Sequence, residues 1–554
     1  MGVVLGIGGR SGEAAAALSV NGQVVAAVSE CSVSRNAAGA GVRSPGVPMA
    51  ALAACLERAH LPAHAVTAIA LADRGAAGAA DVRALRRGLR LRARLNTGHA
   101  RLALADALDE KPAWLVEGLR AQALQVAASS SAERMAIVIV DGVARRGSLF
   151  YKDGPVIGRV MAIGGVERLI AAAADLAARL GCAAGDGALD ALERLGSAGD
   201  ATFAQAFGTV IGWSAQPGFY FDESRLDALV AGAASGIGDL AQADSLHARV
   251  RQRRRDLAAG FCIRVHELAA RLCHAAAALL HVDAVGLGGS VFGSDAVNTA
   301  VRLELGDRVW VAPVPEEAGG AIGAAVATDS AASRFDGLSL GPAFSEPEMK
   351  QTIENCRLDY VYEPAWERLL TRVSRLLESG KTIAWFQGAL DFGARSLGSR
   401  SILCDPSRPY ARENLTHYLG RPTDEAWLPV SLTDAAADAC LDVPLRSPFM
   451  LLRGTVRPEA RPLLRAALDA RNAMTVHTVD PAQAPELAEL LRIHRTRTGV
   501  PGLINTPLTA HGEPTACAPR DAIRTTFSSA IDALVMGRFL MMKDYWLLRS
   551  DTDV

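Results

Sequence analysis

The chain has 554 residues, of which half are apolar and 21% are charged. This length exceeds what one hydrophobic core normally serves and predicts two to four domains, and the composition excludes a disordered polymer. The formal net charge of −1 provides no general attraction to nucleic acid or to an anionic membrane, so no nucleic-acid partner is expected.

The cysteines and the N-terminal residues indicate a compartment. Nine cysteines are spread along the chain without a C-x-x-C pair, which is typical of a reducing environment rather than of a disulfide framework. The first residues lack the basic start and apolar block of a signal peptide. No window of about 18 residues is apolar and free of charges, so no membrane span is expected. These observations predict a cytoplasmic protein without a membrane partner.

The first predicted elements are two strand pairs, each with a glycine at its turn. Residues 16–20 and 24–28 flank Asn21-Gly22, which is a strong hairpin signal. A second unit spans residues 136–151, with Asp141-Gly142 at its turn. Two such units in one chain predict a duplicated strand architecture.

Two glycine pairs follow short apolar strands further along the chain. Gly288-Gly289 follows the strand predicted at 284–287, and Gly319-Gly320 follows the strand predicted at 309–311. Glycines at the mouth of a helix allow backbone N–H groups to approach a phosphate or a ribose closely. Apolar residues at helical spacing predict alanine-rich helices at 167–180 and 257–280.

Two motifs near the C-terminus carry most of the predicted chemistry. The run at 392–403 sets Arg395 and Arg400 among glycines, and such guanidinium forks can hold a phosphorylated ligand. The run at 498–506 ends an apolar strand in Asn505-Thr506. Together these runs resemble the ATP-dependent carbamoyltransferases, the family that includes nodulation-factor, cephamycin and tobramycin carbamoylating enzymes.

The resemblance covers nearly the whole chain and implies an α/β fold in two parts. Residues 1–327 would form a Kae-type, actin-like domain with a duplicated ATPase fold, residues 328–355 a linker, and residues 356–554 a YrdC-like α/β domain. The resemblance also implies that ATP and carbamoyl phosphate yield a carbamoyl adenylate, from which the carbamoyl group passes to a hydroxyl.

The same resemblance implies roles for individual residues. Glu13 and Asp141 are candidate catalytic groups. The candidate contacts to nucleotide and phosphate are Gly288, Gly289, Gly319, Gly320, Arg395, Arg400, Asn505 and Thr506.

Several positions depart from the family pattern. The family holds iron with an H-x-x-x-H helix and a later aspartate, and the matching positions here are Gly118, Gln122 and Glu317. Glycine offers no donor atom, an amide is a poor ligand and one carboxylate holds a transition metal weakly, so no iron is expected. Residues 424–429 carry carboxylates where the family has a phosphate-contacting arginine, and Pro507 replaces a serine.

The candidate residues also have structural interpretations. Arg395 and Arg400 could tie the glycine-rich loop to a neighbouring carboxylate, and Asn505 and Thr506 could cap the turn after their strand. Asp141 also fits a turn aspartate.

Two functions therefore remain open. The first is an enzyme of specialised metabolism that transfers a carbamoyl or related acyl group to a small-molecule or carrier-bound acceptor, with chemistry altered by the lost metal site. The second is a catalytically silent homologue that acts as a scaffold or regulatory partner of an active paralogue. Either function allows a homo- or hetero-oligomer.

Overall fold

The structure is a computed structural model. It describes residues 2–9, 14–35, 47–73, 107–182, 187–213, 218–235, 243–327, 335, 337–419, 428–510 and 513–544. Glu13 and the acidic positions 424 and 425 lie outside the described residues.

The first lobe is a five-stranded sheet with helices packed against it. Its strands are β1 (Val3–Gly8), β2 (Ala15–Val20), β3 (Gln23–Ser29), β4 (Ala68–Asp73) and β5 (Ala113–Glu117), and its helices are α1 (Glu30–Ser34), α2 (Met49–Arg58) and α3 (Gly118–Ser129). The strand order is β3-β2-β1-β4-β5, with β1 to β3 antiparallel and β4 and β5 parallel to β1. Asn21 and Gly22 turn between β2 and β3 with φ of 51° and 81°, so the predicted hairpin is confirmed.

The second lobe contains another five-stranded sheet, of order β12-β11-β6-β7-β8, and a separate two-stranded sheet of β9 and β10. Its strands are β6 (Arg134–Asp141), β7 (Arg146–Asp153), β8 (Val156–Ile163), β9 (Ile211–Trp213), β10 (Phe219–Phe221), β11 (Ala284–Gly288) and β12 (Val309–Val311). Its helices are α4 (Val166–Arg179), α5 (Ala188–Gly196), α6 (Ala204–Val210), α7 (Glu223–Ser235), α8 (Ala243–Leu280) and α9 (Asp295–Leu305). The next helix, α10 (Gly320–Ala325), packs against β1, β2 and β4 of the first lobe.

The two five-stranded sheets share the same strand order. Each begins with three antiparallel strands, and two further strands then run parallel to the first strand of the set. The first strands of the two sets, β1 and β6, lie at the centres of their sheets. This duplicated order is the actin-like α/β arrangement expected from the sequence.

The C-terminal domain is built on a nine-stranded mixed sheet of order β13-β21-β20-β14-β15-β19-β16-β18-β17. Its strands are β13 (Val361–Tyr362), β14 (Ile383–Phe386), β15 (Arg400–Cys404), β16 (Val430–Leu432), β17 (Leu452–Thr455), β18 (Ala473–Thr478), β19 (Gly502–Pro507), β20 (Ala533–Met536) and β21 (Phe539–Met542). Its helices are α11 (Glu346–Asn355), α12 (Trp366–Glu378), α13 (Ala411–Glu413), α14 (Asp434–Cys440), α15 (Arg461–Leu464), α16 (Pro485–Thr498) and α17 (Pro519–Phe527). This mixed α/β architecture agrees with the expected YrdC-like domain.

Each face of the nine-stranded sheet covers its own hydrophobic cluster. Ile402 and Ile504 belong to the cluster on one face, called face 1 here. Leu403 and Leu503 belong to the cluster on the opposite face, called face 2. Because side chains alternate along a strand, the residue number decides which face a polar group reaches.

The segment predicted as a linker, residues 328–355, contributes side chains to the hydrophobic core of the C-terminal domain. Helix α11 places Met349 and Ile353 in the face 1 cluster of the C-terminal domain. The exact domain limits stay a prediction. Among the helices in the described ranges, none combines the length and the apolar character needed to cross a bilayer.

Candidate functional site

Two cavities lie between the N-terminal lobes and the C-terminal domain, on either side of the loop at 388–399. Cavity A has a volume of about 430 Å³ and touches the middle of this loop at Ala394, Arg395 and Ser396. Cavity B has a volume of about 420 Å³ and touches both ends of the loop, including Asp391 and Ser399. The two cavities share no lining residue, so the loop is the wall between them.

Cavity A is closed by contacts between the second lobe and the C-terminal domain. Arg395 donates from Nη1 to Glu316 Oε1 at 3.2 Å and from Nη2 to the carbonyl oxygen of Gly293 at 2.7 Å. Thr475 on β18 donates its hydroxyl to Asp295, at the start of α9. Arg395 is 27% exposed and lines the cavity, so it has further N–H donors for a ligand.

The charges around cavity A are mixed. The charged residues in its lining are Asp190, Glu193, Arg194, Asp295 and Arg395. Glu193 is buried, and its Oε1 lies 2.5 Å from Nε2 of His266. Three carboxylates against two guanidinium groups make this a weaker anion site than two arginines alone would form.

Arg400 lies on the opposite face of the sheet from Thr475, which lines cavity A. It shares face 1 with Ile402, whereas Thr475 is on face 2. Arg400 is fully buried and stacks on Phe386 with its guanidinium carbon 3.6 Å from the ring centroid. Burial lowers its pKa to about 10, which leaves it charged at neutral pH.

The guanidinium of Arg400 is occupied by carbonyl groups of the protein. Nη1 donates to the carbonyl oxygens of Gln387, Gly388 and Ser399 at 2.8, 3.2 and 2.9 Å, and Nε donates to Cys517 at 3.3 Å. These bonds favour a structural role, although the partners are carbonyls rather than the carboxylate considered from the sequence. Arg395 is the arginine of the motif that faces a cavity.

Asn505 and Thr506 point to opposite faces of the sheet. Asn505 is on face 2, where its amide donates to the Ser431 hydroxyl at 2.9 Å. Thr506 is opposite Ile402 on face 1, and its buried hydroxyl has no hydrogen-bond partner among the described residues. Adjacent strand residues cannot both direct side chains at one ligand, so at most one of the two contacts it through its side chain.

Asp141 organises the turn after β6. Its Oδ1 accepts the backbone N–H groups of Val143 and Ala144, both at 2.9 Å, and its Oδ2 accepts the amide of Gln122 at 3.0 Å. Ser290 accepts the N–H of Gly142 at 2.8 Å. This geometry favours the turn-aspartate interpretation.

The three positions that match the iron ligands of the family do not form a metal centre. Gly118 begins α3, Gln122 on the same helix donates its amide N–H to Asp141, and Glu317 begins a short 3₁₀ helix at 317–319. The buried Oε1 of Gln122 accepts no hydrogen bond from the described residues. Within the described ranges, no cluster of three His, Cys, Asp or Glu side chains is arranged to hold a metal ion. A glycine, a neutral amide oxygen and one carboxylate are a poor ligand set for iron, and the expectation that iron is absent stays a prediction.

The glycine pairs serve close packing. A Cβ on Gly288 would meet Ile139 and Val126, and one on Gly289 would collide with the carbonyl group of Val140. A Cβ on Gly319 would collide with the Val314 carbonyl, and one on Gly320 would contact Ala72 at 3.4 Å. The space beside each glycine is thus occupied by the protein, and a phosphate contact at these positions stays a prediction.

Sequence reasoning missed two buried polar residues that line cavity B, Asp391 and His477. Asp391 Oδ2 accepts the N–H of Leu397 at 2.8 Å and the hydroxyl and N–H of Ser399 at 2.6 and 3.2 Å. His477 Nδ1 lies 2.9 Å from the Ser431 hydroxyl. Little in the sequence pointed to them, because other polar residues lie in the same strand and the same loop.

The buried imidazole of His477 predicts a loss of stability in acid. Burial lowers its pKa from 6.5 to about 3, so the folded protein keeps the ring neutral while the unfolded chain binds a proton below about pH 6.5. Between pH 6.5 and pH 5 the wild type should lose about 1.6 kcal/mol more stability than the His477→Gln variant, as urea unfolding at both pH values would measure.

The exposed His64→Gln variant is the control for this experiment, and we expect it to follow the wild type. If the free energy of unfolding depended on pH equally in His477→Gln and the wild type, His477 would not be held neutral in the folded protein.

The fold and the cavities define an actin-like α/β protein joined to a YrdC-like domain. Residues 374–543 match the family model described as the carbamoyltransferase C-terminus, which identifies this segment as a carbamoyltransferase C-terminal domain and confirms the family resemblance.

Curated relatives point to the same family. An uncharacterized Synechocystis protein is 29% identical over 326 residues, which cover 53% of each chain. Nodulation protein U of Rhizobium tropici is 29% identical over 39% of this chain and 36% of its own. Nodulation protein NolO of Bradyrhizobium diazoefficiens is 26% identical over 43% of this chain and 45% of its own. The chain thus spans about half or less of these relatives.

Solved structures are more distant. Full-length HypF, in its phosphate- and nucleotide-bound form, has a TM-score of 0.35 at 11% identity, over 59% of this chain and 55% of its own. Component A of the Acidaminococcus fermentans (R)-2-hydroxyglutaryl-CoA dehydratase has a TM-score of 0.33 at 16% identity, over 60% of this chain and all of its own. At these scores the fold assignment rests on the strand order described above.

Proposed function

We propose that this protein is an enzyme that transfers a carbamoyl or related acyl group to a small-molecule or carrier-bound acceptor. ATP and carbamoyl phosphate are the proposed sources of the activated group. The observation that carries the proposal is Arg395, which faces cavity A from within the segment that matches the carbamoyltransferase C-terminus. A guanidinium with free donors at the wall of a cavity of about 430 Å³ suits a phosphorylated ligand.

Chemistry in the actin-like lobes would differ from that of the iron-dependent family pattern. Gly118 has no donor atom, and the neutral amide oxygen of Gln122 is a poor ligand for iron. Any transfer step in this protein would therefore depend on orientation and hydrogen bonding by the chain rather than on a metal at these positions.

A catalytically silent homologue is the second candidate, and the charge balance of cavity A favours it. Arg395 is already bonded to Glu316 and Gly293, and carboxylates outnumber guanidinium groups in the lining. Such a protein would act as a scaffold or regulatory partner of an active paralogue and would not need to bind ATP or carbamoyl phosphate.

Isothermal titration with each proposed substrate separates the two candidates. We expect both ATP with Mg²⁺ and carbamoyl phosphate to bind, and Arg395→Ala to weaken the binding of at least one of them tenfold or more, which is about 1.4 kcal/mol. Arg492→Ala is the matched control, since Arg492 is an exposed arginine outside the cavity lining.

The absence of heat with both compounds would favour the silent homologue. If Arg395→Ala lowers the unfolding temperature without changing the affinity for either compound, Arg395 only joins the two domains.

A further inference from the structure

We propose that cavity B binds a small organic ammonium compound, held between the carboxylate of Asp391 and an aromatic wall formed by Trp310 and Phe449. This site goes beyond the proposed transfer reaction, because none of the residues to which the family resemblance gives a catalytic, nucleotide, phosphate or metal role lines it. Its volume of about 420 Å³ lies in the range of small-molecule sites.

Asp391 supplies a carboxylate oxygen at the inner wall. The side chain is 9% exposed, and its three hydrogen bonds all end on Oδ2. Oδ1 accepts no hydrogen bond from the described residues, and it is not among the polar atoms sealed in the interior. Burial raises the pKa of Asp391, and a cationic donor at Oδ1 is the partner that best stabilises its charged form.

His477 supplies a fixed neutral donor beside this carboxylate. Asn505 donates to the Ser431 hydroxyl, and the arrangement in which that hydroxyl in turn donates to Nδ1 of His477 uses the hydroxyl proton and places the ring proton on Nε2. Nε2 has no partner among the described residues and, like Oδ1 of Asp391, is not sealed in the interior. His477 is 2% exposed and lines the cavity, so its N–H is available to a hydroxyl or other acceptor of the ligand.

The aromatic wall suits a cation. The rings of Trp310 and Phe449 meet edge to face, with centroids 6.2 Å apart and planes at 86°. The indole N–H of Trp310 donates to Ser129 at 3.0 Å, which fixes the orientation of the ring. Ammonium groups bind over aromatic faces, and tryptophan is the strongest of these partners.

The rim of the cavity adds to the negative charge. Asp480 and Glu486 line it, and neither forms an ion pair with another described residue. Arg58 is the one arginine or lysine in the described lining, and His477 is neutral. Three carboxylates against one guanidinium favour a ligand with positive charge, and a ring compound with two amines would reach both the inner wall and the rim.

A matched pair of ring compounds tests the proposal. Isothermal titration would compare 1,3-bis(aminomethyl)cyclohexane with 1,3-bis(hydroxymethyl)cyclohexane on the full chain, without ATP or carbamoyl phosphate. We expect the diamine to bind at least tenfold more tightly than the diol. The double variant Asp480→Asn, Glu486→Gln should weaken binding of the diamine at least tenfold and leave binding of the diol unchanged.

Further variants distinguish specific binding in cavity B from nonspecific attraction of the diamine to acidic groups on the surface. Trp310→Leu and Asp391→Asn should each weaken binding of the diamine at least fivefold, while Asp153→Asn, an exposed carboxylate outside the lining, should not change it. If Asp391→Asn fails to fold, the rim variant decides the outcome. Equal affinities for diamine and diol, no measurable heat with the diamine, or the same loss in Asp153→Asn would each overturn the proposal. Because no substrate of the transfer reaction is present, these results do not depend on the proposed function.

Discussion

Replacing Arg400 with methionine is expected to lower the free energy of unfolding of the C-terminal domain by about 3–5 kcal/mol. The variant leaves the carbonyl oxygens of Gln387, Gly388 and Cys517 without a donor, while that of Ser399 keeps the N–H of Gln387. Each unsatisfied buried group costs about 1–3 kcal/mol, and the loss of the stack on Phe386 adds to this. Urea unfolding followed by circular dichroism would measure the effect on the C-terminal transition.

The matched control for this variant is Arg492→Met. Arg492 has an exposed side chain paired with Glu489 on the same helix, so its replacement should change stability by less than about 0.5 kcal/mol. If Arg400→Met remained as stable as the wild type but lost affinity for ATP or carbamoyl phosphate, Arg400 would be a ligand contact and the structural interpretation would be wrong.

Gly289→Ala is expected to lower the stability of the second lobe by about 3 kcal/mol. Gly289 has φ of 97°, where an L-residue costs about 1–2 kcal/mol, and the added methyl group would press into the Val140 carbonyl at a further cost of about 1–3 kcal/mol. Thermal unfolding followed by circular dichroism would detect this as a lower temperature for the transition of the N-terminal lobes.

Gly380→Ala isolates the backbone contribution. Gly380 also has a positive φ, of 85°, but a Cβ there would meet no atom within 4 Å, so we expect a loss of only about 1–2 kcal/mol. A Gly289→Ala protein that unfolds like the wild type and no longer binds ATP would instead support the phosphate contact predicted for Gly289.

Local signals in the sequence predicted individual helices and strands better than they predicted how these elements pack together. The Asn21-Gly22 hairpin and the strand at Val309–Val311 agree with the structure, because turn residues and apolar runs act locally. The helix predicted at 257–280 begins at Ala243 in the structure. The prediction missed its first turns because they carry arginines and other polar residues rather than an apolar stripe. Sheet order could not be predicted from these signals, because it depends on pairing between distant strands.

The candidate site shows a similar division. Because side chains alternate along a strand, Asn505 and Thr506 point to opposite faces of the sheet, and Arg400 points to the same face as Ile402. Both assignments could be predicted from the sequence once the strands were assigned. The hydrogen-bond partners of Arg400 and the cavity beside Asp391 and His477 could not be predicted from the sequence, because they depend on how loops from distant parts of the chain meet.

The contacts that close cavity A join two parts of the chain that a truncation would separate. Arg395 and Thr475 lie within residues 374–543, but their partners Glu316, Gly293 and Asp295 lie upstream of that segment. A fragment limited to the family domain would therefore carry half of the pocket wall and leave that half open to water. Ligand measurements on such an excised piece would describe a groove rather than an enclosed chamber, so an assay of cavity A needs the second lobe together with the C-terminal domain.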